Sequence, residues 1–197
     1  MKQFFGLFAL AATLVLGSAF VAISALTYNV DLEKSTVNWK GYKVTGSHEG
    51  TIDIKSGGLE YTDGLLTGGT FEIDMTTITT TDLKGGAAQK LIGHLNSEDF
   101  FGVEKYPTAK LVITNVSPQG PGRYKVTADL TIKETTKAIK FTTTTTEADG
   151  MITAKADIQV DRSEYNVKYG SGTFFGNLGD KTIYDEFDLS VNLVASK

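Results

Sequence analysis

An all-β fold of about eight antiparallel strands is predicted by three observations. Apolar and polar residues alternate in successive runs, turn signals fall between those runs, and the composition is rich in Thr, Val, Ile, Tyr and Phe with 21 glycines. The 197 residues are 41% apolar and 21% charged, enough for one folded domain and a short appendage. That appendage is at the start. After Lys2 and Gln3 the chain carries no charge from Phe4 to Leu26, and it then turns abruptly polar. A basic start, an apolar stretch from Phe4 to Leu16 and small residues at Ser24 and Ala25 read as a secretory signal peptide over residues 1–25, followed by a domain of residues 26–197. An uncleaved anchor is the competing reading, because an uncharged run of this length could span a bilayer. Cleavage would make the mature product periplasmic or secreted.

The first strands of the domain are expected at residues 37–44 and 51–55, with Gly57-Gly58 as a breaker. After a hairpin signal at Asp63-Gly64, Phe71, Ile73 and Met75 alternate with Glu72, Asp74 and Thr76. Residues 83–101 depart from the pattern. Ala87, Leu91 and Leu95 recur at helical spacing, and Ser97-Glu98-Asp99 reads as an N-cap opening a second short turn, giving one or two short helices. Pro107 ends this segment and biases Tyr106 towards extended geometry. A strand at residues 109–114 leads through the breaker Pro118-Gln119-Gly120-Pro121-Gly122 to the clearest alternation in the chain. There Tyr124, Val126, Ala128, Leu130 and Ile132 share one face, and every intervening residue is polar. Ile139 and Phe141 open a strand that runs into the threonines at residues 142–146, and Asp149-Gly150 marks another hairpin. Residues 152–160 and the alternating Phe187, Leu189, Val191 and Leu193 complete the set. Such strands either stack as a sandwich or close as a barrel, and alternation does not choose between them.

Chemistry is bounded mainly by exclusions. With 19 Lys and Arg against 23 Asp and Glu, the chain has a net charge of −4 and no basic block, so it lacks the cationic footprint that nucleic-acid binding needs. Cysteine is absent and only His48 and His94 are present, which removes thiol chemistry, disulfides and histidine-rich metal sites, so neither a cofactor nor a metal is expected. No G-x-S-x-G elbow occurs, and Gly170-Ser171-Gly172 lacks the strand-to-helix setting of one. Gly179-Asp180-Lys181-Thr182 fails as a phosphate loop, because the Asp separates Gly from Lys. Asp185, Glu186 and Asp188 read as a solvated turn and strand face. The alternation points Trp39, Phe71, Ile73, Leu111, Ile113, Leu130, Ile132, Phe141, Phe187 and Leu189 inward. They would form either a packed core or the wall of an apolar cavity.

Three stretches carry a resemblance. The run from His94-Leu95-Asn96-Ser97 through Asp99-Phe100-Phe101 to Tyr106-Pro107-Thr108-Ala109 is similar to the H-L-x-S-x-D-F-F-D-x-x-x-Y-P-x-A signature of the YceI-like family, with Gly102 where Asp is usual. Ala128-Asp129-Leu130-Thr131-Ile132-Lys133-Glu134-Thr135-Thr136-Lys137 resembles that family's G-x-L-T-I-x-G-V-T-K segment, with Ala128 and Glu134 at the glycine positions. Asp161-Arg162-Ser163-Glu164-Tyr165-Asn166-Val167 resembles its D-R-S-x-[FY]-x-V segment.

The resemblance implies a lipocalin-like antiparallel β-barrel, closed around an elongated apolar cavity, in a periplasmic protein that binds a polyisoprenoid or similar long-chain lipid. The ten inward residues would then be the apolar lining. A polar head group would need donors at the mouth, for which His94, Arg162, Tyr165, Lys168 and Tyr169 are the candidates, although Arg162 also has carboxylates to pair with and His94 also reads as a structural histidine. The resulting expectation is a non-catalytic carrier, alone or as a homodimer. Two rivals stand beside it: an enzyme acting on a bound lipid or quinone, which would need a polar constellation such as His94 with Glu98 or Asp99, and a stress-related structural protein with a filled core. The leader reading has its own test. Intact-mass analysis is expected to find a soluble chain beginning at Ala25 or Leu26, and recovery of the full 21.2 kDa chain from membranes would overturn it.

Overall fold

The computed structural model describes residues 25–197. The signal-peptide reading of residues 1–25 therefore lies outside the described residues, apart from Ala25. Nine strands are present: β1 (Ala25–Val30), β2 (Thr36–Lys43), β3 (Gly46–Thr62), β4 (Leu65–Asp74), β5 (Thr108–Pro118), β6 (Arg123–Ile132), β7 (Thr135–Ala148), β8 (Met151–Asp161) and β9 (Ile183–Ser196). All pairings are antiparallel, and neighbours in sequence pair from β2 through to β9. Pairing of β2 with β9 closes the sheet into a barrel of eight staves. The ninth strand adds no stave. β1 pairs with Gly58–Thr62 of β3 and with Ala195 and Ser196 of β9, whereas β2 pairs with the other ends of the same two strands, so β1 and β2 share one position.

The hairpin signals act as expected. Asp63 and Gly64, and likewise Asp149 and Gly150, have positive φ at both positions, the primed turn that matches the twist of antiparallel strands. One end of the barrel carries these tight turns. The other carries a 3-10 turn at Met75–Thr77, the helix α1 (Gly85–Asn96), the turn-rich segment 97–107 and the long loop between β8 and β9.

Two local expectations are corrected. Gly57-Gly58 is not a breaker but lies inside β3, which extends well past the expected 51–55. A Cβ on Gly57 would sit 2.6 Å from the Phe71 ring, and one on Gly58 would sit 3.2 Å from the Tyr28 carbonyl oxygen, so both glycines serve close packing within a strand. Ser97 does not open a helix; its hydroxyl donates to His94 O at 2.7 Å and closes the end of α1. The turn that follows returns Gly102 N to Ser97 O at 2.8 Å, with Gly102 in the left-handed region at φ 59°. Strand β1 (Ala25–Val30) was not among the expected strands.

The end with tight turns is sealed by Tyr28, Tyr61 and Tyr124, all buried, with Tyr28 and Tyr61 packed edge to face at 5.4 Å. At the other end, the segment after the 3-10 turn crosses β3 so closely that a Cβ on Gly50 would lie 1.8 Å from Thr79 O. Backbone bonds from Thr79 N to Thr51 O and from Thr81 N to Glu49 O fix this crossing, as does the Trp39 Nε1 bond to Thr79 O at 3.0 Å. Gly50→Ala is therefore expected to force the backbone apart and cost roughly 1–3 kcal/mol. Gly93→Ala, on the exposed face of α1 with nothing near its Cβ position, is expected to stabilise by up to about 1 kcal/mol. Denaturant midpoints of the two variants check the pair, and a neutral Gly50→Ala would show that the crossing is slack.

Candidate ligand-binding cavity

Alternation places one face of every stave inside the barrel, and this inner face is not filled. A cavity of about 210 Å³ runs through it, with a lining that is almost wholly apolar. All ten residues read as inward from the sequence line it: Trp39, Phe71, Ile73, Leu111, Ile113, Leu130, Ile132, Phe141, Phe187 and Leu189. Several of them, including Ile73, Leu111, Ile113, Phe141, Phe187 and Leu189, are only half-buried although they point inward, because their inner surfaces face open space. A packed core leaves no such surface. The helical cap closes one end with Leu95, Phe100 and Phe101, which also line the cavity.

Polar groups are scarce inside. Thr143 lines the wall, but its hydroxyl donates to Lys155 O at 2.9 Å and is thereby spent. Arg162, 2% exposed, is the buried charge. Its Nε donates to Tyr184 O at 3.1 Å, Nη1 to Val167 O at 2.8 Å and Nη2 to Ile183 O at 3.0 Å, and Nη2 lies 3.3 Å from Asp185 Oδ1. Burial pulls the guanidinium down from its ordinary pKa while Asp185 and Asp161 act the other way, and a guanidinium starts so high that it stays charged. Its plane also sits 5.3 Å from the Phe100 ring, which ties the helical cap to the end of β8. Most of its donor capacity is thus directed at the backbone around the barrel mouth.

Of the remaining mouth candidates, His94 and Tyr169 are brought together, but none of the four lines the cavity. Tyr165 is fully buried, lines no part of the cavity, and its hydroxyl has no hydrogen-bond partner among the described residues. Burial, reinforced by Glu164 and Asp161, pushes this phenol up to about 12. His94 is half-buried in the last turn of α1, packed edge-on against Tyr169 at 4.2 Å and Phe100 at 5.6 Å. Glu98 and Asp99 are exposed, so neither forms the buried pair with His94 that the enzyme reading called for. Lys168 and Tyr169 are exposed outside the cavity. Among the described residues, no group of three or more His, Asp or Glu side chains is placed to hold a metal ion.

Sequence reasoning missed where the cavity reaches the surface. The β2–β9 ladder runs from Gly41 opposite Phe187 to Lys43 opposite Ile183, so two steps on β2 face four on β9. Tyr184 and Glu186 lie in this bulge, and with Lys155 on β8 they are the exposed members of the lining. The polar and turn-like stretch around Asp185 gave no sign of it, because a bulge is a mismatch between two strands and has no single-strand signature.

A closed antiparallel barrel built around an internal apolar cavity is a lipocalin-like architecture. The chain belongs to the YceI-like family, whose domain matches residues 28–195. Similar to it in sequence is a UPF0312 protein of Pseudomonas putida, 31% identical over 142 residues that cover 68% of this chain and 70% of the relative. In structure it is similar to BcnA of Burkholderia cenocepacia, with a TM-score of 0.69 and 23% identity over 85% of this chain and 99% of that one. A polyisoprenoid binding domain from Saccharophagus degradans, implicated in plant cell wall breakdown, aligns with a TM-score of 0.65 at 15% identity over 86% of this chain and 97% of its own.

Tyr165 yields a test of the cap. An unfolded tyrosine ionises near 10.0, whereas here the proton is kept to about 12, so its contribution to stability is complete below about pH 10 and is lost as pH rises through about 12. Tyr165→Phe is expected to flatten that loss. At neutral pH it should leave stability within about 1 kcal/mol of the parent, since no hydrogen bond is removed. Denaturant midpoints from neutral to strongly alkaline pH decide it; an unchanged alkaline slope in the variant would place the ionising group elsewhere.

Proposed function

We propose that the protein is a non-catalytic carrier that holds a polyisoprenoid or similar long-chain lipid in its barrel, in the periplasm or outside the cell after loss of residues 1–25. The observation that carries the reading is the continuous apolar cavity whose inward side chains keep accessible surface. Each CH₂ moved from water into such a space contributes about 0.8 kcal/mol, so an extended hydrocarbon binds with no specific polar partner. With Thr143 bonded to the backbone and Arg162 occupied at the mouth, the interior asks for a tail rather than a polar molecule. The polyisoprenoid binding domain of similar fold adds support for the ligand class. The cavity is smaller than the roughly 300–1,000 Å³ of drug-sized sites, so a long chain would also displace the half-buried lining side chains. A filled-core structural protein would have no use for this space.

Two alanines separate carrier from core. Ala154 on β8 lines the cavity, whereas Ala128 on β6 is fully buried on the same inner side but away from it. Ala154→Leu is expected to enter open space, lowering bound lipid with less than about 1 kcal/mol lost, while Ala128→Leu should overpack and cost roughly 1–3 kcal/mol. Protein purified without detergent is extracted into organic solvent and weighed by mass spectrometry, with melting measured alongside. Parent protein that never yields lipid, together with an Ala154→Leu variant as destabilised as Ala128→Leu, would sink the carrier reading.

A further inference from the structure

Nine large apolar side chains of the described residues are left in water; Leu26, Leu32, Leu65 and Met151 lie elsewhere, and the other five, which include every exposed aromatic among them, gather at one place. Val44, Tyr169, Phe174, Phe175 and Tyr184, each between 41% and 48% exposed, all belong to the end of the barrel where the cavity surfaces. They are carried by the β2–β3 turn, the loop from Asn166 to Thr182 and the start of β9, which are stitched together by Val44 N to Thr182 O at 3.2 Å and Ile183 N to Gly170 O at 2.8 Å. Tyr184 belongs both to this patch and to the cavity lining. Their exposure is imposed by the fold. Ser171 is fully buried, its carbonyl accepts from Phe174 N and Phe175 N, and its hydroxyl accepts from Thr173 N at 3.2 Å. Thr173 donates in turn to Asp185 Oδ2 at 2.7 Å, and Asp185 pairs with Arg162. A buried ion pair therefore holds a loop whose phenylalanines stand in water, an arrangement that scattered surface residues do not need.

We propose that this aromatic end is a membrane-docking surface, which seats the cavity mouth on a lipid bilayer. The inference rests on the carrier reading. Three observations select a bilayer as the occupant. The patch is continuous with the opening of an apolar cavity, through Tyr184. Its aromatics are interleaved with cations, Lys168 Nζ lying 5.1 Å from the Phe174 ring centre, the combination that lies well at a lipid headgroup boundary. The two segments bearing Val44, Tyr169, Phe174 and Phe175 hold Lys43, Lys168 and Lys181 against Asp180 alone, in a chain of net charge −4, while the exposed Glu164 and Glu186 flank them in sequence. Insertion of the rings supplies the attraction, and the lysines meet lipid phosphates with only a modest dependence on salt.

The test uses the mature protein and vesicles of phosphatidylethanolamine and phosphatidylglycerol, with co-sedimentation as the readout. The parent is expected to partition to the vesicles, and Phe174→Ser combined with Phe175→Ser should weaken partitioning at least tenfold with melting unchanged. Leu65→Ser, which removes an equally exposed side chain at the opposite end of the barrel, should partition as the parent does. No partitioning by the parent, or equal partitioning by the double variant, overturns the proposal. So does light scattering that finds a dimer broken by the double substitution, since the face would then be a contact between two copies. Partitioning that depends on Phe174 and Phe175 in a protein that never yields lipid on extraction would keep the docking surface and remove the carrier reading instead.

Discussion

Arg162 is the side chain on which the working end of the barrel depends. It stands where β8 ends, and its fork reaches three carbonyls on segments that alternation cannot place: Val167 in the loop, and Ile183 and Tyr184 where β9 begins. Tyr184 falls where the β2–β9 ladder is interrupted, Ile183 at the edge of that interruption and Val167 in the loop, so the arginine supplies donors to carbonyls at the margin of the sheet. Asp185 balances the charge, and removing either member would leave the other uncompensated in a dry site, the costly case for a buried pair. The same guanidinium lies against Phe100 of the cap, and Lys133 Nζ donates to Phe100 O at 3.2 Å from the β6–β7 turn. One charged group thus joins the cap, the β8 end, the long loop and β9.

The two ends of the barrel differ for a physical reason. At the tight-turn end, each stave returns on itself within two to four residues, and tyrosines large enough to bridge the barrel fill the interior. At the other end two of the connections, β4 to β5 and β8 to β9, are long, and the first supplies a helix whose Leu95 and following Phe100 and Phe101 rest over the opening without filling what lies beneath. Apolar side chains around a void lose dispersion partners on one face, a cost that a packed core avoids. The closed ladder and the two sealed ends hold the barrel around that void.

Much of this was legible in the sequence, and the limits have particular causes. Residues 124–132 showed their inner face because β6 has no bulge against β7, so period two runs unbroken. In β3 the bulge between Ile54 and Ser56 switches the inward set from Ile52 and Ile54 to Leu59 and Tyr61, which is why alternation seemed to end at 55 and the glycines looked like a breaker. Strand β1 was hidden because its first residues are also the small and apolar residues that close the leader pattern. The ten inward residues follow period two along their strands, although Phe187 and Ile113 each stand at the edge of a register shift. The mouth was not legible in this way, because Tyr184 and Glu186 line the cavity by virtue of a ladder mismatch, and because nothing in the order of residues says that Arg162 will spend its donors on carbonyls about 20 residues away.

For the proposed carrier, the position of that mismatch bears on how a ligand would enter the barrel. A ligand passing between two regularly paired staves must break a row of ladder bonds, each leaving a donor and an acceptor unpaired in an apolar wall. Between Gly41 and Lys43 on one side and Phe187 and Ile183 on the other, the ladder is already open. Gly41 offers no side chain there, and a Cβ at that position would meet nothing within 4 Å, so the gap is bounded by Tyr42, Tyr184 and Glu186, which can move without disturbing the sheet. Tyr42 is restrained by its bond to Asp188 at 2.6 Å, whereas Tyr184 is 48% exposed, which makes the Tyr184 ring the one that swings aside at least cost. Under the proposed carrier role, access by this seam would leave both the tyrosine seal and the Arg162 junction intact.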